Sequence, residues 1–275
     1  MALSVVSLYR DVLPRTNCRD CGFSTCMAFA AAVVADQHPL SGCPHLSRET
    51  VERLAPELAA QYADHRWTRR DMQQDALVYA RERAAKTGLT DLPGRLGAEP
   101  MTLPDGSAAV RLPFWDKAVL ITEKGMTAED GSELPRLSAT FLYNHLAQGG
   151  SRPPTGKWIG FESIKNTVSK QKSMQAHVVS PLVKRFSGRV GLLKERALKA
   201  GGVEAAGEGP TADLSFLFRP LPRVPLLLLF WDAAPEDGME AEAKVLLDET
   251  ITEHLDIESM LFLCENLVER LSAGD

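Results

Sequence analysis

Residues 13–44 read LPRTNCRDCGFSTCMAFAAAVVADQHPLSGCP. Four of the chain's five cysteines lie in this stretch, spaced Cys18-x2-Cys21-x4-Cys26-x16-Cys43. Cys18 and Cys21 share one turn, eased by Gly22, and Cys26 opens the alanine-rich run Met27–Ala35, which predicts a short helix. Pro39 and Pro44 punctuate its exit. The long third gap lets a helix run out and the chain return. A cubane iron-sulfur centre draws its thiolates from a tight loop plus a cysteine further along. The positive end of a helix at Cys26 favours the negative charge of such a centre. Main-chain N–H groups of Thr16, Asn17, Phe23, Ser24 and Thr25 are placed to donate to sulfur. Structural zinc is the alternative, since it also takes four thiolates. Its sites are usually built from two close pairs, and here only Cys18 and Cys21 form one. The spacing favours a 4Fe-4S cluster over zinc or no metal, with Cys18, Cys21, Cys26 and Cys43 as the candidate ligands.

Composition narrows the class. The chain has 275 residues, 44% of them apolar, which suits one or two domains with a sizeable core. A net charge of -5 argues against a nucleic-acid binder. The longest apolar run, residues 224–231, is interrupted by Pro225 and is too short for membrane insertion. The start, MALSVVSLYRDVLP, lacks a basic segment followed by a long apolar one, so a cytoplasmic protein is expected. Clustered cysteines in that compartment read as a metal site before they read as disulfides.

The chain divides into a small helical iron-sulfur module with its connecting helix, residues 1–66, and a larger domain, residues 67–275. Ser47 is a candidate cap for a helix running to about Asp64, and Thr68 with Asp71 resembles a capping box for a second helix closed by Gly88. Residues 88–107 are rich in Gly and Pro and read as loops or short edge strands. Ala109–Pro113 and Ala118–Thr122 are β-prone, and Leu137–Gln148 predicts a helix ended by Gly149-Gly150. Helical pattern returns between about Val178 and Ala200. Asp213–Phe218 and Val224–Trp231 read as strands, the second buried on both faces, and Leu255–Leu271 as a terminal helix. The fold class is therefore α+β, with a mostly antiparallel sheet packed against helices in the larger domain.

The stretch LPRTNCRDCGFSTCMAFA, followed by SGCP at 41–44, resembles the N-terminal 4Fe-4S module of the large (gamma) subunit of corrinoid iron-sulfur proteins, which also occurs in acetyl-CoA decarbonylase/synthase. It is similar as well to the module in the B subunit of Rnf-type electron-transfer complexes. The resemblance covers about residues 10–46, departs from the family pattern at Arg19 and Asp20, and implies cluster ligation by Cys18, Cys21, Cys26 and Cys43. The remainder of a corrinoid protein has no room in this chain. Residues from about 70 onward resemble an uncharacterised domain family of anaerobes, on FLYNHLAQGG at 141–150, GKWIGFESI at 156–164, PLLLLFWD at 225–232 and VLLDETITEHLDIESM at 245–260.

Other residues are weighed against plainer roles. Cys264 falls in step with Leu261, Leu267, Val268 and Leu271 and reads as a core cysteine. His38 and His45 flank the cysteine loop and read as solvated; His38 is rejected as a corrin ligand because its glycine, Gly42, is misplaced. Trp158, Phe161 and Trp231 are core aromatics before they are pocket residues. Asp232, Asp248, Asp256 and Glu258 read as caps and solvated faces before acid–base groups. Residues 152–199 carry 11 basic and 2 acidic side chains, and residues 200–275 carry 4 and 16, balances of +9 and -12 that suggest mutual pairing.

The resulting expectation is low-potential one-electron transfer in anaerobic metabolism, with a redox partner protein such as a corrinoid or one-carbon enzyme. Two other readings stand beside it. One is a maturation or ligand- and partner-binding module with a structural or sensory cluster. The other is an enzyme whose active site lies in the larger domain.

Overall fold

The computed structural model describes residues 3–63, 72–205, 207 and 209–273. Its contacts divide the chain into two units, Met1–Asp75 and Ala76–Asp275. The expected boundary at 66/67 and the Thr68/Asp71 capping box lie outside the described residues.

In the N-terminal unit, α1 spans Val5–Asp11, α2 Cys26–Asp36 and α3 Arg48–Ala63. Helix α1 has no counterpart in the sequence reading. A reciprocal Ser4/Ser7 capping box starts it, with the Ser7 N–H donating to Ser4 Oγ at 3.0 Å. Helix α2 matches the alanine-rich run and stops where Gln37 turns left-handed, at φ 56°. Ser47 caps α3 as expected, accepting the Thr50 N–H at 3.2 Å. The unit's core gathers Leu8, Phe29, Val33, Leu40, Leu54 and Leu58, and it includes Cys26 and Cys43. Gln61 pins the chain start to α3: it accepts the Leu3 N–H at 2.9 Å and donates to the Leu3 carbonyl at 2.8 Å.

The second unit begins within α4 (Met72–Ala84), which ends four residues before the expected stop at Gly88. A one-turn helix, α5 (Leu92–Leu96), then leads into the meander β1 (Glu99–Thr102), β2 (Ala108–Phe114), β3 (Lys117–Thr122) and β4 (Gly125–Ala128). These four strands pair antiparallel in sequence order. Helix α6 (Arg136–Gln148) ends at Gly149, as expected.

After β5 (Trp158–Gly160), a helical stretch comprises α7 (Val168–Met174), a π-helical turn at Gln175–Val179 and α8 (Ser180–Phe186). This helix begins about ten residues before the expected Val178. Then come α9 (Val190–Lys199), β6 (Val203–Glu204), β7 (Leu214–Leu221), β8 (Val224–Trp231), β9 (Glu242–Asp248), α10 (Ile251–His254) and α11 (Ile257–Ser272). The second sheet has the order β5-β9-β8-β7-β6, antiparallel throughout.

Strand β8 is central and buried on both faces, as its unbroken apolar run implies. Leu226, Leu228 and Phe230 enter the main core, while Leu227 and Leu229 pack on the other face with Ala205 and Leu246. Pro225 is tolerated because it precedes the first β8–β9 pair, Leu226↔Leu247, beside an irregularity in the β7 register. One core joins the sheets and helices of this unit, and the Trp115 N–H donates to the Pro220 carbonyl at 2.8 Å between the two sheets. The fold is α+β: a small helical module followed by a domain of antiparallel sheets and helices.

Candidate metal centre

The cysteine loop turns on residues in left-handed conformation. Arg15, Asn17 and Arg19 have φ of 59°, 52° and 71°, and Gly22 follows at 82°. Backbone that switches hand in this way turns successive N–H groups toward a common concavity, which suits a negative centre. The loop is tied to α2 by Asn17, whose carboxamide oxygen accepts the Cys26 N–H at 2.8 Å. Thr25 caps the same helix by accepting the Ala28 N–H at 3.0 Å. Cys26 is therefore the first residue of α2, with its own N–H taken by Asn17.

All four cysteines are free thiols, graded in exposure: Cys18 exposed, Cys21 intermediate, Cys26 and Cys43 buried. Cys43 follows a 3-10 turn at Leu40–Gly42. That turn packs tightly; a Cβ on Gly42 would stand 2.9 Å from His38 Nε2 and 3.4 Å from Phe29 Cε2, so a larger residue would have to displace the His38 ring. Burial pushes the Cys43 thiol above its ordinary range, and the His45 main-chain N–H, donating to it, opposes the rise. Negative charge on Cys21, Cys26 and Cys18 raises it further. The other three sulfurs thus lie within electrostatic reach of Cys43.

The exposed side carries a hydrogen-bonded pair for which the sequence holds no local signal. His45 Nε2 and Asp20 Oδ2 are 2.7 Å apart, and hydrogen bonds from His45 and then Cys18 hold the Asp20 carboxyl below its ordinary range. His38 is half-buried, edge-on to Phe23 and Phe29. His45 is exposed, in keeping with a solvated residue. Asn17, expected only as a main-chain donor, also holds the site through its side chain.

In the second unit the plainer readings hold for Cys264, Phe161 and Asp256, whereas Asp248 is buried rather than solvated and Trp158 and Trp231 are only partly buried. Cys264 is fully buried, and burial pushes its thiol up to about 12. Phe161 is in the main core, and Trp158 and Trp231 pack in the small cluster on the opposite face of β8. Asp232 accepts the Gly188 N–H at 2.7 Å. Asp248 is 1% exposed and accepts main-chain N–H groups from Thr155, Gly156 and Thr250. Asp256 caps α11, accepting the Ser259 N–H at 2.8 Å. The charge imbalance resolves into ion pairs: Lys170–Glu258 at 2.6 Å, Lys194–Glu204 and His177–Glu265 at 2.8 Å, Lys157–Glu249 at 3.0 Å and Arg152–Glu253 at 3.2 Å. Each contributes little alone.

Residues 94–270, well over half the chain, match the model of a family described as "Domain of unknown function (DUF3786)". The chain belongs to this DUF3786 family. Ahead of the DUF3786 region, residues 13–45 match a second family, described as "Putative Fe-S cluster". The same end is similar to gamma subunits of the acetyl-CoA decarbonylase/synthase complex. Identity is 37% over 59 residues with the protein of Methanothermobacter thermautotrophicus and 40% over 57 residues with that of Methanopyrus kandleri. These matches take in 22% and 21% of the chain but only 13% and 12% of those relatives. A component of the ion-translocating oxidoreductase complex of Alkalilimnicola ehrlichii is 38% identical over 50 residues, 18% of the chain and 27% of that protein. No solved structure matches the chain. Iron-sulfur binding is the function these matches support, and the relatives are subunits of multi-protein complexes. No helix among the described residues is long and apolar enough to cross a membrane.

Proposed function

We propose that Cys18, Cys21, Cys26 and Cys43 hold one 4Fe-4S cluster in a module spanning residues 1–66. The protein then transfers single electrons at low potential to or from a partner protein in the cytoplasm of an anaerobe, linked to one-carbon or corrinoid metabolism. The observation that supports this reading is that the buried Cys43 thiol feels the charge of Cys21, Cys26 and Cys18, within a stretch that matches an Fe-S cluster family. When bound, such a cluster supplies storage of one electron at a time.

The chain's own residues do the rest. Cys26 and Cys43 anchor the centre from the apolar core, where α2 and the Leu40–Gly42 turn hold them rigidly. Cys18 and the Asp20–His45 pair form the exposed side, where a partner approaches without displacing core residues. Membership of the relatives in complexes favours such a partner. Two-electron substrate chemistry would require a second cofactor or the partner itself.

The test is anaerobic reconstitution with iron and sulfide. We expect about four irons per chain and a broad visible absorbance that bleaches on reduction and returns on reoxidation. Cys26→Ala and Cys43→Ala should abolish loading. Iron-free, zinc-loaded protein from anaerobic cells would overturn the cluster assignment. A cluster that loads but cannot be cycled would overturn electron transfer and leave a structural role.

A further inference from the structure

A cavity of about 450 Å³ opens in the second unit between the end of α4 and the β3–β4 hairpin. That volume falls in the range of about 300–1,000 Å³ used for small ligands. Its floor is apolar: Leu92, Ile121 and Leu146 are 1%, 3% and 3% exposed. Its rim is charged and asymmetric, with Arg81 and Lys124 against a single acid, Glu123.

The cationic end is built rather than incidental. Arg81 lies over the Tyr143 ring, 5.6 Å from its centroid, and its Nε donates to Tyr143 Oη at 3.3 Å. Tyr143 is buried, and its oxygen also accepts the Met126 N–H at 3.1 Å. The phenol therefore receives two donors and keeps its own proton to give. Gly125 has φ 133°, and a Cβ there would stand 3.2 Å from both Arg81 Nη2 and Tyr143 Oη. Glycine keeps the two groups accessible side by side. Among the described residues Arg81 makes no ion pair. A guanidinium without a carboxylate, next to a phenol with a free proton, presents donors only, and a carboxylate is the acceptor-only group that satisfies both.

We propose that this cavity binds a small amphiphilic monocarboxylate, its carboxylate on Arg81 and Tyr143 and its apolar body on the Leu92–Ile121–Leu146 floor. The DUF3786 domain is then a carboxylate-binding module, whatever the cluster does. A phosphate or nucleotide fits less well, because the cavity is mostly apolar and lacks a glycine-rich cradle.

Calorimetric titration of the full chain with octanoate, and with octanamide as its uncharged counterpart, tests this. Octanoate should bind at one site per chain and octanamide at least about tenfold more weakly, because it forfeits the charge-assisted bonds. Arg81→Gln should weaken octanoate about tenfold and leave octanamide unchanged. Lys124→Gln should have a smaller effect of the same sign, and Ala85→Trp should block both ligands by filling the cavity mouth. Thermal melts verify that each variant folds. Absence of saturable octanoate binding at millimolar concentration, equal affinity for both ligands, or indifference to both Arg81→Gln and Lys124→Gln would overturn the proposal. These readouts do not depend on cluster loading, so failure here is separate from failure of the iron-sulfur reading.

Discussion

Cys43 and Cys264 are both buried thiols, 6% and 0% exposed, yet they belong to different kinds of core. Around Cys264 stand Leu261, Leu263, Leu267 and Leu271 on one face of α11 and the aliphatic residues of the main core. Its high pKa of about 12 makes it an inert packing group. Around Cys43 stand three more thiols, and the apolar core behind it is small. The second unit is stabilised by burying apolar area. The first unit places two of its core residues, Cys26 and Cys43, where they repel each other once ionised. Burial alone therefore does not say what a cysteine is for; the charge of its neighbours does.

The comparison is broken most forcefully from the second unit. Leu228→Ala removes a fully buried side chain from the central strand and should cost about 3–5 kcal/mol in denaturant unfolding of this unit. The visible absorbance of the loaded cluster should be unchanged. If the cluster is lost with it, the two units do not stand on separate cores.

Acid should produce the next largest effect, again in the second unit. His145 is fully buried, with Nδ1 3.1 Å from the His254 carbonyl oxygen, and burial lowers its pKa from 6.5 to about 4. Burial pushes His254 down as well. In the unfolded chain these rings take up protons near neutrality, so the unfolded state binds more protons. The stability they contribute is complete above about pH 6.5 and is lost as pH falls toward about 4, with His145 alone accounting for about 3 kcal/mol. Denaturant midpoints followed from pH 7 to 4 check this, and His145→Gln should flatten the profile.

The smallest effects sharpen the picture of the cysteine loop. Asn17→Ala leaves the Cys26 N–H without its side-chain acceptor and should destabilise the first unit by about 1 kcal/mol, read as faster iron release to a chelator. Arg19→Gly relieves a left-handed residue and should act in the opposite direction, by up to about 1 kcal/mol.

Legibility from sequence follows local signal strength. The α2 helix and β8 are legible because each carries a long apolar run, and α11 because its apolar residues recur at helical spacing. The strands β4, β5 and β6 hold four, three and two residues, too few to display a period, and they exist only because longer neighbours offer an edge. Strand β9 escapes the sequence reading because EAKVLLD alternates poorly: Val245, Leu246, Leu247 and Asp248 are buried in succession. The four cysteines are legible because their spacing is local. The Asn17–Cys26 and Asp20–His45 contacts are not, since each depends on how the loop curls. The cavity beside Arg81 is invisible for the same reason; it joins a helix end to a hairpin about forty residues later. Of the aromatic residues weighed as pocket candidates, Phe161 lines a cavity of about 560 Å³ together with Gln171 and Lys184, while Trp158 and Trp231 line neither that cavity nor the one beside Arg81.

The placement of β8 has a consequence for biosynthesis. VPLLLLFW emerges from the ribosome before β9, so for a time this strand has β7 on one side and nothing on the other. A bare edge of that composition is a template for aggregation. Pro225 and Asp232 bracket it, and a proline at one end with a charge at the other acts as a gatekeeper against association with a neighbouring nascent chain.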